Sequence, residues 1–287
     1  MTKRSSKPLA APSKKKLLDS NPEDRMRVQH PLGTQTIHRA IFILREIAMH
    51  GTAGARLMDI TQSMGLERST THRIVKGLAS HGMVTQDTKT KTYRLGHLVY
   101  ELGLAASPNY ALKEICRPTL EHLAEKSGDS VFLVVRSGLD SVCIDRVEGS
   151  YPIQTRTLEI GGRRPLGVGA GSLALLMTLS ARDRQKVIDT NASRFSSFGQ
   201  LTVERLNGAV KLSTKMGYAI NEEDVLTGVC AIGVPIMPHQ GTPYAALSIA
   251  GIASRFMGKR RKEIADLLLK ETRALEKNLN ALNIDWA

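Results

Sequence analysis

The sequence predicts an α+β chain of two domains behind a basic arm, and three observations carry that reading. Segments with helical and strand periodicity fall in blocks, first helices with a hairpin, then strands, helices, strands and a last helix. At 287 residues the chain exceeds the usual size of one compact domain. Positive charge is concentrated at one end: residues 1–107 carry 17 Lys/Arg against 8 Asp/Glu, a net of +9 out of +13 for the whole chain. Such a bias points to an anionic partner, although a solubilising surface with a basic tail accounts equally well for charge alone.

Residues 1–30 combine Lys, Ser and Pro with few large apolar residues, which cannot offset the entropy of ordering the chain, so a disordered basic arm is expected. It reads either as a plain tail or as a source of non-specific phosphate contacts. From Thr34 the pattern changes. Ile37, Ala40, Ile41, Leu44, Ile47 and Ala48 recur at three- and four-residue spacing, which predicts an amphipathic helix up to Gly51. A second helix carries Leu57, Ile60, Thr61 and Met64 on one face and stops at Gly65, a residue free to take the left-handed conformation. A third runs from Glu67 to His81 with Thr71, Ile74, Val75 and Leu78 inward, and Gly82 ends it. Met83–Gln86 and Thr92–Leu95 are short strand-like runs that form a hairpin. Three helices and a wing result, a winged helix-turn-helix over 31–95.

A linker helix is expected over 96–107, ending before Pro108, and residues 108–287 make the second domain. There a helix from about Tyr110 to Lys126 is interrupted or kinked at Pro118. Strands are expected at 130–136, 141–147 and 153–158, helices at 170–180, 182–190 and 202–216, strands at 218–221, 231–237 and 244–250, and a closing helix over 258–282.

The face of the third helix opposite Thr71, Ile74 and Leu78 is built of donors: Ser69, Arg73, Lys76 and Ser80, with Arg68 and Thr70 at its start. Arginine and lysine can reach guanine edges or phosphates, and short hydroxyl side chains approach either closely. Lys89, Lys91 and Arg94 place cations on the wing, where a hairpin can follow a phosphate backbone or enter the minor groove. Any one of these residues reads as a solvated surface charge. Their combination with helix spacing and a wing points to double-stranded DNA. His72 and His81 read as surface or phosphate contacts, since no partner at zinc-site spacing accompanies them. Glu67 reads as a favourable charge at the helix start.

The segments TIHRAIFILREIAMHG, LMDITQSMGLERSTTHRIVKGLASHGMVTQD and YRLGHLVYELG resemble the DNA-binding domain of IclR-type transcription regulators. RRPLGVGAGSLALLM, GYAINEEDVLTGVCAIGVPI and PYAALSIAGIASRF extend the resemblance over about residues 33–282. It implies a GAF-like antiparallel-sheet effector domain joined by the linker helix to the winged domain, and dimers that often pair into tetramers. The family usually has valine where Thr71 stands, and often a glycine in the wing turn that is Thr88-Lys89-Thr90-Lys91 here. The resemblance places effector contacts at Ala170 and Gly171, at Asn221, at Ala231, and at Ser248 and Ala250. Some members use an acid, a cysteine and a serine where this chain has Asn221, Ala231 and Ala250, and Cys230 lies one residue from the matching position.

The residues themselves read compatibly. Gly167, Gly169 and Gly171 precede an apolar helical run, so they either leave amides open to a carboxylate or permit a close-packed turn. A neutral amide and two small apolar groups in place of an anion and polar contacts favour a larger, aromatic acid over a two-carbon oxoacid as the effector. No cofactor is expected, because GVGAGS lacks the dinucleotide-binding spacing. Cys116, Cys143 and Cys230 form no C-x-x-C pair, and Cys143 and Cys230 are flanked by apolar residues, which argues for buried hydrophobes, a reducing cytoplasm and no enzymatic nucleophile. No stretch is apolar enough for a membrane span, so no membrane partner is expected.

Overall fold

The computed structural model describes residues 33–106, 112–155, 157–237, 243 and 245–281. The arm over 1–30 and the boundary at Ser107–Pro108 lie outside them. The chain divides between Val99 and Tyr100 into two compact units.

In the first unit α1 (Gln35–Met49), α2 (Leu57–Met64) and α3 (Arg68–Ser80) precede a hairpin of β1 (Val84–Gln86) and β2 (Tyr93–Leu95). Ile43, Ile47, Ile60, Met64, Val75 and Val84 form its core, each worth about 1.5–3 kcal/mol of burial before conformational entropy is subtracted. On α1 the inward positions are Ile43 and Ile47 with Leu44 beside them, whereas Ile37 and Ile41 are exposed. The expected apolar face is thus displaced, because α1 is apolar on more than one side and periodicity could not choose between them. Gly65 takes the predicted left-handed conformation (φ 61°, ψ 26°). Thr71 is fully buried, and its hydroxyl donates to the Glu67 carbonyl, so its polar atom is satisfied. Ala55 exchanges two backbone hydrogen bonds with Tyr93, tying the entry of α2 to the wing.

Gly82 and Gly96 bring two backbones together. The Gly96 amide donates to the Met83 carbonyl at 2.8 Å and Leu98 donates to Gly82 at 3.2 Å. A Cβ on Gly96 would overlap the Gly82 carbonyl group. The helix α4 (His97–Ala106) that follows buries none of its residues, although it carries Tyr100, Leu102 and Leu104.

The second unit is a six-stranded antiparallel sheet with helices on both faces. Its strands are β3 (Ser130–Ser137), β4 (Asp140–Val147), β5 (Arg163–Pro165), β6 (Ala219–Glu222), β7 (Val229–Ile236) and β8 (Ala245–Ile252), in the order β5-β4-β3-β8-β7-β6. Because side chains alternate along a strand, Val131, Leu133, Ile232, Val234, Leu247 and Ile249 face one way, against α5 (Leu112–Ser127) and α9 (Gly258–Ala281). Phe132, Val134, Ala246 and Ala250 face the other, toward α6 (Ala170–Met177), α7 (Ala181–Phe195) and α8 (Val203–Met216). Strands buried on both faces explain the near-continuous apolar runs in β7 and β8.

Two expectations are corrected. The described residues of 153–158 form no strand: Ile153 is exposed, the Gln154 amide donates to Gly149, and Thr155 Oγ1 donates to the Ala250 carbonyl at 2.9 Å. Side chains, not a ladder, hold this segment to the sheet end. The edge strand is β5, pairing Asp140–Val142 with Arg163–Pro165. Helix α5 is not interrupted at Pro118, and its stripe of Leu112, Cys116, Leu120 and Leu123 is buried on both sides of the proline.

Gly96→Ala is therefore expected to destabilise the first unit by about 3 kcal/mol or more, read as a lowered denaturation midpoint, since the overlap is with backbone that cannot rotate away. The buried thiols make a second prediction. Burial pushes Cys116 and Cys143 up to about 12 and Cys230 up to about 11, from an ordinary 9.0. The unfolded thiols ionise first, so the stabilisation is complete below about pH 9 and is lost as pH rises toward 11–12. Stability should fall across that window in urea titrations, and an Ellman-type reagent at pH 8 should find no fast thiol among the three in native protein.

Candidate functional site

Two sites emerge, one in each unit. On α3, Arg68, Ser69, His72, Arg73, Lys76 and Ser80 are exposed, and Thr70 is half-buried. Val75 and Thr71 anchor the opposite face in the core, which fixes the rotation of the helix and hence this donor surface. Glu67 is the N-cap residue but its side chain makes no cap hydrogen bond. Among the described residues, none of Arg68, Arg73 or Lys76 is held in an ion pair, and the same is true of Lys89, Lys91 and Arg94 on the wing. Among the described residues these six cations make no ion pair, Arg94 feeling only the nearby Asp87 charge, and they can meet phosphate.

The wing tip is closed without glycine. Asp87 Oδ1 accepts the backbone N–H groups of Lys89 at 2.9 Å and Thr90 at 2.8 Å, and these bonds hold its carboxyl below the usual range. Lys91 occupies the left-handed region at φ 59° and donates its amide to the Asp87 carbonyl. The strained position that glycine would favour is thus occupied by lysine, and the turn is fixed from within by an aspartate.

In the second unit a cavity of about 540 Å³, counting its open mouth, lies between the sheet and the start of α6. Cross-strand register assembles its floor. Asn221 pairs with Ala231 and Ala231 with Ala250, forming one row across β6, β7 and β8. Two residues along, Gly233 pairs with Ser248 and Ser248 with Phe132. Gly169, Ala170 and Gly171 border the cavity from α6, and Val225 and Leu226 cover it from the loop after β6. Gly171 is a close-packing residue: a Cβ there would lie 2.9 Å from Val134 Cγ2. It also leaves backbone amides at the cavity edge, so the two readings of the glycines are compatible.

Seven of the eight residues singled out as effector contacts therefore line one cavity. Cys230 does not. It lies one residue from Ala231 on β7, so its side chain faces the opposite side of the sheet and joins the core under α5 and α9. Sequence reasoning missed Arg164, which lines the cavity from β5. Placing the strand at 153–158 hid its parity, since side-chain direction could be read only once β5 was located. Its guanidinium donates to the Thr157 carbonyl and lies 6.0 Å from the Phe198 ring centroid. Among the described residues no cluster of His, Cys, Asp and Glu could hold a metal ion, and no helix is long and apolar enough to cross a membrane.

Comparison with known proteins gives this geometry its context. Residues 36–88 match the IclR helix-turn-helix domain, and residues 105–277 match the C-terminal domain of the bacterial transcriptional regulator IclR. The chain is 27% identical over 207 residues to the transcriptional regulator KipR of Bacillus subtilis, covering 71% of this chain and 81% of that one. It is also 27% identical over 224 residues to XynR of Escherichia coli, covering 77% and 87%. Among solved structures, a putative IclR regulator from Silicibacter sp. TM1040 superposes with a TM-score of 0.72 at 20% identity, over 85% of this chain and 96% of that one. An IclR homolog from Microbacterium hydrocarbonoxydans, solved in complex with 4-hydroxybenzoate, gives 0.67 at 21% identity over 86% and 99%. With one domain model spanning more than half of the chain and the other covering its helix-turn-helix, this protein belongs to the IclR family of DNA-binding transcription regulators, which are not enzymes.

Proposed function

We propose that this regulator binds a specific operator through α3 and the wing, and that a small organic acid in the cavity of the second unit controls that binding. The observation that carries the reading is the pairing of an ion-pair-free cationic surface on α3 and the wing with a separate, mostly apolar cavity that has a few polar groups on its wall. On DNA, α3 enters the major groove, where Arg68, Arg73 and Lys76 contact base edges and phosphates while Ser69, Thr70 and His72 approach the backbone. Lys89, Lys91 and Arg94 contact the flanking strand. Two copies on a palindromic site fit this mode, and α4, apolar and uncovered in the chain itself, offers a second copy a surface. Such a protein works in the cytoplasm, with the DNA.

Neutral Asn221 with Ala231 and Ala250 leaves room along the sheet for a ring, and 4-hydroxybenzoate in the Microbacterium relative supports an aromatic acid as the class. The ligand acts by binding more tightly to one DNA-binding state than to the other.

Fluorescence anisotropy on a palindromic duplex recovered by selection with the purified protein tests the DNA half. Arg73→Ala should cost about 1–3 kcal/mol of operator affinity and leave subunit association intact. Lys89→Ala should weaken all sequences alike and reduce the slope of log K against log salt by about 1. Unchanged affinity in Arg73→Ala would remove that residue from the interface. Asp87→Ala, which frees the wing tip but removes no cation, should lower affinity several-fold; an unchanged value would show that the wing needs no fixed tip.

A further inference from the structure

We propose that Arg164 is the anion-recognising residue of the cavity, and that the ligand is a monocarboxylate whose charge meets this guanidinium while a neutral hydroxyl or carbonyl elsewhere on it meets Asn221 and Ser248. The assignment rests on the acid-effector reading above and deepens it.

Four observations support it. First, among the described residues lining the cavity Arg164 is the one ionisable side chain, so the wall carries a single positive charge and no acid. Second, that charge has no internal counterion. The neighbouring arginines are paired: Arg163 with Asp140 at 3.2 Å, Arg194 with Asp140 at 2.6 Å, and Arg146 with Glu159 at 3.1 Å and Glu148 at 3.3 Å. Arg164 has the Thr157 carbonyl and the Phe198 ring, and no carboxylate among the described residues. Burial lowers its basicity from the ordinary arginine value, with the neighbouring Cys143 opposing the shift, which marks a cation partly deprived of water. An arginine does not escape by losing its proton, so a ligand anion that displaces water from the cavity would supply the missing counter-charge.

Third, alternation on β5 sends Arg163 to Asp140 and Arg164 to the cavity, and the guanidinium sits beside the start of α6, where a Cβ on Gly169 would lie 3.6 Å from Nη1. Fourth, two polar side chains on the wall, Asn221 and Ser248, are also open. Asn221 and Ser248 are 7% and 6% exposed, line the cavity, and make no side-chain hydrogen bond among the described residues. Buried amide and hydroxyl groups left open in this way call for a ligand that can both donate and accept. An oxygen-bearing neutral group does so, whereas a second carboxylate there would lie against the Ser248 row with no cation to balance it.

Calorimetric titration of the full chain with paired probes tests this: benzoate, 4-hydroxybenzoate and 4-hydroxyphenylacetate, each against its neutral amide. The expected result is that acids bind at least about tenfold tighter than amides. Arg164→Gln should lose about 30-fold or more for the acids and little for the amides, and Arg164→Lys should keep part of the preference. Asn221→Leu should cost the hydroxylated acids more than benzoate. Thermal unfolding of the unliganded variants should stay within a few degrees of wild type, because the arginine has no ion pair to lose. If Arg164→Gln binds the acids as wild type does, the carboxylate is held by other groups and the Arg164 assignment fails while the acid-effector reading stands. Binding of amides but not acids, or of neither series, overturns the acid reading and the assignment together.

Discussion

The second unit depends on the close approach of α6 to the sheet. A side chain on Gly233 would collide with the Ala170 carbonyl and lie 2.8 Å from the Gly171 amide, and a side chain on Gly171 would press into Val134. With both positions bare, the helix starts on the strands themselves, and Gly169 enters it at φ 89°, a conformation costly to other residues. The Ser172 hydroxyl accepts the Gly167 amide at 2.8 Å, fixing the loop before the helix. The cavity is the space left beside this contact. Its inner walls are the start of α6 on one side and the Phe132–Ser248–Gly233 row on the other, so the shape of its floor is set by packing, while Val225 and Leu226 close it from the loop after β6.

The same device, two backbones brought into contact by glycine, recurs in the first unit at Gly82 and Gly96, where it seats the end of β2 against the turn after α3. This contact links the orientation of α3 to the wing through rigid groups. Cations on the two elements then face phosphate in a fixed relation, and a single surface rather than six independent charges confronts the duplex. Asp87 extends that rigidity to the wing tip without contributing positive charge.

How much of this was legible in the sequence follows from the range of each interaction. Helix faces on α2 and α3, the stop at Gly65 and the hairpin depend on residues a few positions apart, and period and turn chemistry reveal them. The α1 face was misplaced because Ile37, Ile41, Ile43 and Ile47 offer two competing stripes, and the choice is made by α2 and α3. The cavity floor is another matter. Asn221, Ala231, Ala250 and Phe132 come together through register across four strands, which no local pattern encodes. Family resemblance supplied most of these positions, and it could not show that Cys230 faces the opposite side of the sheet. Arg164 was hidden because its direction depends on the parity of a three-residue edge strand, and residues 153–158 had the better strand composition.

The charge balance of its wall gives the cavity its character. Asn221 is a neutral amide, and among the described residues that line the cavity Arg164 stands without an opposing charge. An acid at 221 together with Arg164 would make the wall neutral, and a carboxylate ligand would then have to compete with a built-in counterion for the guanidinium. Removing that competitor raises the energy of the empty cavity and leaves the occupied one satisfied. The differential belongs to ligands that bring one negative charge, and a neutral ligand of the same shape does not collect it. An effector shifts a regulator between states only by binding one of them more tightly, so the single charge on the cavity wall bears on regulation through any difference in how Arg164 is presented in the two states.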